Sequence, residues 1–353
     1  FRICAQNNFC FAQKLFFCHT ATDHQFRRDH AFLQRRIRIL FGLNEETGSA
    51  DMAYYKAHGG EIPVMGFTPD GEYPIINGEK GLINEAYRCE FTQSGPLRLK
   101  SMWGGTAHNI VPNYAWADFV CAEELAAAVC AMEAEKITCT QTSDGVRIEA
   151  EGVNAHGGTP WEGENAIGRL MLFLNRLPLE GALKTAVAFL AEKIGMECDG
   201  KSLGIAMEDE VSGILTMNLG VLRADETSME VKLNYRYPVT RFFADCGPQT
   251  MEAFRQAGFE RTAAGHKEKL YMPPEHPLVE KLLGVYHRCT GLEPVPKSIG
   301  GGTYVHSIEG GVAFGCAMPG TDNRMHGADE FAVIEELMIS AKMFTQIILE
   351  LCK

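Results

Sequence analysis

The chain has 353 residues, enough for two sizeable cores, since domains usually run ~50–250 residues. Its 46% hydrophobic and 22% charged content is that of an ordinary globular protein, and a net charge of −12 argues against nucleic acid as a partner, because phosphate binding needs a basic surface. No apolar run approaches the ~20 residues that span a bilayer, so no membrane association is expected. The cysteines are scattered from Cys4 to Cys352 without a Cys-x-x-Cys. They read as small buried hydrophobes of a reducing compartment, and a cytoplasmic location is expected.

In chain order, residues 1–34 follow neither helical nor strand spacing for long. Over residues 1–38 seven Lys/Arg stand against two Asp, a net of +5. Asn7, Asn8, Gln13 and Lys14 interrupt any apolar core, so a signal peptide is not expected. Ile37 to Leu43 reads as a strand with Ile37, Ile39 and Phe41 on one face. It runs into Asn44-Glu45-Glu46-Thr47-Gly48. A short helix with Ser49 as N-cap and Asp51 in its first turn follows, and Gly59-Gly60 stops it. A second strand, Val64 to Thr68, ends at Asp70. Two strands thus end in carboxylates with a helix between them, and in open α/β sheets functional groups gather at the carboxyl ends of strands. The arrangement suits a metal. Paired Glu before a helix also complements its positive end, and Asp70-Gly71 also makes an ordinary turn.

Beyond Leu82 the pattern gives strands at Ala86–Thr92 and Val146–Gly152, and a loop from Gly104-Gly105 through Pro112. Cys121 to Lys136 is rich in Ala and Glu and predicts a helix. Ala166 to Leu177 predicts an amphipathic helix with Ile167, Leu170, Leu174 and Leu177 on one face. Met229, Val231, Leu233 and Tyr235 alternate in a strand that delivers Arg236, and Pro248 to Gly258 closes the region as a helix. Pro277 suits a helix N1, with Leu278, Leu282 and Tyr286 on its apolar face up to Gly291. A strand-like run, Val312 to Met318, precedes the loop 319–330. The C-terminal helix, Phe331 to Leu351, is expected to carry Ile334, Leu337, Met338, Ala341 and Ile348 inward. The expected fold is α/β: a discontinuous domain, 1–80 plus 267–353, of a mixed sheet flanked by helices, with an inserted α+β domain at 81–266.

The words FGLNEETGSADM, MGFTPDGEYPIINGEKG, GVNAHGGTP, LNYRYP, GGGTY and PGTDNRMHGADE resemble, in order and from about Gln34 to the end, bacterial dipeptidases of the PepV/Sapep kind. These belong to the zinc-peptidase superfamily of aminoacylases, carnosinases and succinyl-diaminopimelate desuccinylases. The resemblance implies a zinc-peptidase-like catalytic domain with an inserted lid. It implies hydrolysis of dipeptides by a metal-bound water at a site of two Zn2+, with Mn2+ or Co2+ as alternatives, in a monomer. Adjacent loop carboxylates point in different directions, so one of Glu45-Glu46 can hold a metal while the other faces the water. By resemblance Glu45 is the general base, and Glu46, Asp70 and His326 are metal ligands. His156 resembles the lid histidine that donates to the oxyanion, and Arg236 a fork for a substrate carboxylate. Asn109 resembles the lid asparagine at the scissile group, and Gly301 and Gly302 let substrate approach the backbone. Each also has a plain reading, as a loop histidine, a strand-end arginine or a turn residue. An N-acyl-amino-acid amidohydrolase or desuccinylase of the same superfamily is the alternative, and a non-catalytic pseudo-enzyme a second.

The family's two-metal centre also needs an upstream His-x-Asp and a bridging Asp. The bridging Asp belongs near position 11, where this chain reads Cys10-Phe11-Ala12, and the His-x-Asp before residue 1. The chain as written is therefore expected to be truncated or impaired at its N-terminus and a poor hydrolase, with residues 1–34 the least ordered part of the catalytic domain.

Overall fold

The computed structural model describes residues 2–4, 14–19, 34–45, 48–307, 310–324 and 329–353. Most of residues 1–34, and with them the expectation about their order, lie outside the described residues. The first segment contains strands β1 (Arg2–Cys4), β2 (Lys14–His19) and β3 (Arg36–Phe41), helix α1 (Ala50–Ala57), and strands β4 (Met65–Thr68), β5 (Gly71–Glu72) and β6 (Ile76–Glu79). Ile39 and Phe41 do not form a buried face. Both are exposed, on the strand that ends the sheet among the described residues. Ser49 stands at the N-cap position of α1, but it has a left-handed backbone (φ 54°) and its side chain makes no cap hydrogen bond. The Asn44 Oδ1 accepts from the Ala50 N–H instead, at 2.7 Å.

The chain then builds a compact unit, Lys80–Lys269. Its strands are β7 (Gly81–Glu90), β8 (Arg98–Gly104), β9 (Tyr114–Val120), β10 (Ile137–Gln141), β11 (Gly145–Glu151), β12 (Glu208–Asp209), β13 (Gly213–Ile214), β14 (Thr216–Ala224), β15 (Ser228–Tyr237) and β16 (Glu260–Lys267). Helices α2 (Glu123–Cys130), α3 (Ala166–Leu174), α4 (Gly181–Lys193) and α5 (Gly247–Gln256) lie between them. Eight strands form one antiparallel sheet in the order β10-β11-β9-β8-β14-β15-β7-β16. Alternate strand residues such as Ala115, Ala117 and Phe119 share a core with Ala126, Leu170, Leu190 and Phe254 from the four helices. Helix α3 buries Ile167, Leu170 and Leu174, as its spacing predicts, and Asn165 caps it by accepting from the Ile167 and Gly168 N–H groups. Helix α2 is shorter than Cys121–Lys136. It stops at Cys130, and Lys136, at φ 55°, turns the chain into the β10–β11 hairpin. Hairpin pairing overrides the helix propensity of Ala131–Glu135.

The last segment holds β17 (Leu270–Tyr271), α6 (Pro277–Thr290), β18 (Lys297–Ile299), β19 (Gly311–Ala313), β20 (Cys316–Ala317), β21 (Phe331–Val333) and α7 (Ile334–Leu351). With the first segment it forms the other compact unit, Phe1–Glu79 with Leu270–Lys353. The sheet of this unit is mixed, in the order β17-β6-β19-β4-β2-β3 with β18 beside β6. Phe67, Tyr73, Leu278, Leu282, Val312, Phe314, Met343 and Ile347 share its core. The run Val312–Met318 is two strands rather than one, broken where Gly315 takes φ 82°. Phe331–Val333 pairs with β1 instead of opening the last helix. Helix α7 buries Ser340, Met343, Ile347 and Leu351, whereas Met338 and Ala341 are exposed. Apolar residues surround α7 on all sides, so spacing alone did not select its inward face. Among the described residues, no helix is long and apolar enough to cross a membrane.

Candidate functional site

Strand β2 runs antiparallel to both β3 and β4, so β3 and β4 point the same way. Their levels match, because Ile39 of β3 and Phe67 of β4 both lie opposite Phe16. Strand β19 is parallel to β4, with Val312 opposite Phe67. Three strands therefore end at one sheet edge. There β3 runs into Gly42-Leu43-Asn44-Glu45, β4 into Pro69-Asp70, and β19 leads toward the loop that contains His326. Glu46 and His326 themselves lie outside the described residues. Asp70 is half-buried.

The turn before Glu45 is held by a residue that the sequence marks only as a first-turn acid. Asp51 Oδ2 accepts from the Leu43 N–H at 2.7 Å and the Asn44 N–H at 3.2 Å. The Tyr304 hydroxyl donates to the same oxygen at 2.7 Å and accepts from the Asn44 N–H at 3.0 Å. Burial pushes the Asp51 carboxyl up, but the hydrogen bonds from Tyr304, Leu43, Met52 and Asn44 outweigh it and hold its pKa below the ordinary value. Burial raises the pKa of Tyr304, and the charges of Asp51 and Glu45 add to the rise. Gly42 lies against the Tyr304 ring. A Cβ there would sit 1.9 Å from the hydroxyl, so only glycine fits.

In the unit Lys80–Lys269, the loops 105–113 and 152–165 are laced together. The Asn109 carbonyl accepts from the Gly157 N–H at 2.7 Å, and the Val111 N–H donates to Ala155 at 2.9 Å. This sets Asn109 beside His156, with the Asn109 side chain exposed. His156 Nε2 lies 3.4 Å from Arg236 Nη2. Arg236 is 3% exposed, and burial pushes its guanidinium down to about 10, so it stays a cation at neutral pH. Its Nε donates to Asn234 Oδ1 at 3.2 Å, and the Asn234 amide donates to Asn84 at 2.6 Å. A Cβ on Gly158 would come within 2.7 Å of Arg236 and 3.0 Å of His156, which is why the loop carries glycine there. Asn218 donates to the His108 and Ile110 carbonyls, both at 2.9 Å.

Sequence reasoning missed Asn84, Asn218 and Asn234, although the alternation of the strand that delivers Arg236 puts Asn234 on the same face. It also missed Lys80, which is buried and donates to the Ile214 carbonyl at 2.5 Å. Burial pushes Lys80 down to about 8; Asp209 opposes the shift and Arg236 adds to it.

The peptidase family M20/M25/M40 model matches residues 16–350. The protein YtjP of Bacillus subtilis (strain 168) is 34% identical over 333 residues, 91% of this chain and 70% of YtjP. A Beta-Ala-Xaa dipeptidase of Lactobacillus delbrueckii subsp. lactis is 31% identical over 331 residues, 91% of this chain and 69% of that protein. Among solved structures, aminopeptidase PepT from Bacillus cereus ATCC 10987 aligns over 93% of this chain and 68% of its own, at 14% identity and a TM-score of 0.46. The family implies a divalent metal ion. Among the described residues, no three His, Cys, Asp or Glu side chains are grouped so as to hold one, so these residues alone do not make a metal cage. The motif resemblance holds nonetheless: the chain belongs to peptidase family M20/M25/M40 and is a hydrolase of the metallopeptidase class.

Proposed function

We propose that the protein is a metal-dependent dipeptidase. The observation that carries this reading is the shared direction and level of β3 and β4, which supports Glu45 and Asp70 working at one sheet edge. In this reading Glu45 takes a proton from the attacking water, and Glu46, Asp70 and His326 are ligands to zinc, two ions per site in the family. Three ligands hold at most one ion between them, so slow turnover belongs to the proposal. The segment Lys80–Lys269 acts as the lid of a discontinuous catalytic domain. Its His156 donates to the oxyanion, Asn109 contacts the scissile group, and Arg236 holds the substrate carboxylate as a fork. The His156–Arg236 approach and the buried cation support the roles of His156 and Arg236.

Gly301 and Gly302 are proposed to receive the substrate backbone. A Cβ on Gly301 would meet only Ile299 Cδ1, at 3.8 Å, among the described residues, so packing does not explain that glycine. A monomer in a cytoplasmic, reducing setting completes the reading. The reducing setting is supported by the free thiols of Cys89, Cys121, Cys130, Cys139, Cys198, Cys246 and Cys289. A dipeptide substrate is favoured over an N-acyl amino acid by the Beta-Ala-Xaa dipeptidase among the relatives. Parallel assays with β-alanyl-histidine, alanyl-leucine and N-acetyl- and N-succinyl-amino acids test the choice. Faster turnover of the dipeptides is expected, and preference for the acylated substrates would replace the reading with an amidohydrolase.

A further inference from the structure

Glu79 closes β6 and is fully buried. Its Oε1 accepts from the Thr303 N–H at 3.1 Å and the Thr303 hydroxyl at 2.8 Å. Its Oε2 accepts from His306 Nδ1 at 2.6 Å, since a carboxylate is an acceptor only. A carboxylate persists in a core when it is paired and hydrogen-bonded, yet apolar residues of similar volume would stabilise the core as well or better. The partners suggest what this one is for. Thr303 directly follows Gly301 and Gly302, neither of which has a left-handed backbone, and a Cβ on Gly302 would sit 3.4 Å from both Glu79 Oε2 and His306 Nδ1.

We propose that Glu79 is a positioning residue for substrate binding, which through Thr303 and His306 fixes the Gly301-Gly302 segment in its receiving shape. This rests on the reading of that segment as a substrate contact. Consecutive glycines have the most conformational freedom of any backbone, and a ligand that must order them loses affinity. Bonds to a buried carboxylate remove that loss before the substrate arrives. Thr303 is also joined to Tyr304, whose hydroxyl bonds Asp51 and Asn44, so the same anchor is tied to the turn before Glu45.

The test is calorimetric titration of the full chain with β-alanyl-histidine and with alanyl-leucine, Zn2+ being present at the same excess throughout. Glu79→Gln and Thr303→Val are expected to weaken binding about tenfold, a loss of about 1.4 kcal/mol. Thr303→Ser, which keeps the hydroxyl donor, is expected to bind like the wild type. Thr303→Val is isosteric and decides the matter if Glu79→Gln does not fold. Wild-type affinity in Thr303→Val, or an equal loss in Thr303→Ser, overturns the proposal and leaves the dipeptidase reading standing. A wild-type chain that binds neither dipeptide overturns both.

Discussion

The Tyr304 hydroxyl donates to Asp51 and accepts from the Asn44 N–H, so one phenol ties a half-buried helix residue to the turn that carries Glu45. Tyr304→Phe removes both bonds without changing the packing. It is expected to cost about 1 kcal/mol in urea unfolding, and to lower kcat roughly tenfold with KM little changed, because loosening the proposed base, Glu45, loses transition-state contact rather than substrate affinity. A fall in stability with no change in kcat would assign the tyrosine to folding alone. Lys80 makes a prediction about pH. Its pKa in the fold is about 8, against 10.5 for a free lysine, so below about pH 8 the fold bears the full cost of burying the charged amine. Between those values the unfolded chain binds more protons, and wild-type stability from this group rises with pH. Lys80→Met is therefore expected to be more stable than wild type by about 2 kcal/mol at pH 7. This is the ~3 kcal/mol of the shift less ~1 kcal/mol for the lost bond to Ile214. Denaturant unfolding at pH 7 and pH 10 checks it: the advantage shrinks at pH 10, and a constant gap would contradict the assignment.

At the scale of elements, periodicity was legible where one face alone is apolar. The spacing of Ile167, Leu170 and Leu174 predicts α3, and Pro277 with Gly291 brackets α6, where Gly291 takes φ 72° just beyond Thr290. It failed where apolar residues occur on the exposed face as well as the buried one, as in α7, and where pairing competes, as in the end of α2 and at Phe331–Val333. The hydrogen-bond networks of Asp51 and Asn234 were not legible, because their partners lie far away in sequence, 253 residues from Asp51 to Tyr304. Two glycines test how far local geometry sets cost. Gly291 has nothing within 4 Å of an added Cβ, whereas at Gly105, φ +64°, the Cβ would stand 2.0 Å from the Gly220 carbonyl oxygen. Gly291→Ala is expected to cost about 1 kcal/mol from its backbone alone, and Gly105→Ala several times that, since a strand carbonyl must move. Equal melting temperatures for the two variants would show that the loop over β14 yields freely.

For the whole molecule, the family match covers most of the chain, and two ligands of the proposed site, Glu46 and His326, lie outside the described residues. The motif words identified the family; they did not reach the metal geometry, because ligand distances rather than spacings define such a site. The central claim is therefore the dependence of dipeptide hydrolysis on a divalent ion and on Glu45. The most direct measurement is the rate of β-alanyl-histidine hydrolysis by wild type and Glu45→Gln, each stripped with chelator and reloaded with Zn2+ or Mn2+, with metal per chain counted by elemental analysis. The account predicts no hydrolysis after stripping and recovery on reloading. It predicts at most one ion per chain, and a loss of about a hundredfold or more in Glu45→Gln at unchanged metal content. Hydrolysis that survives the chelator, or a Glu45→Gln variant as active as wild type, would contradict it.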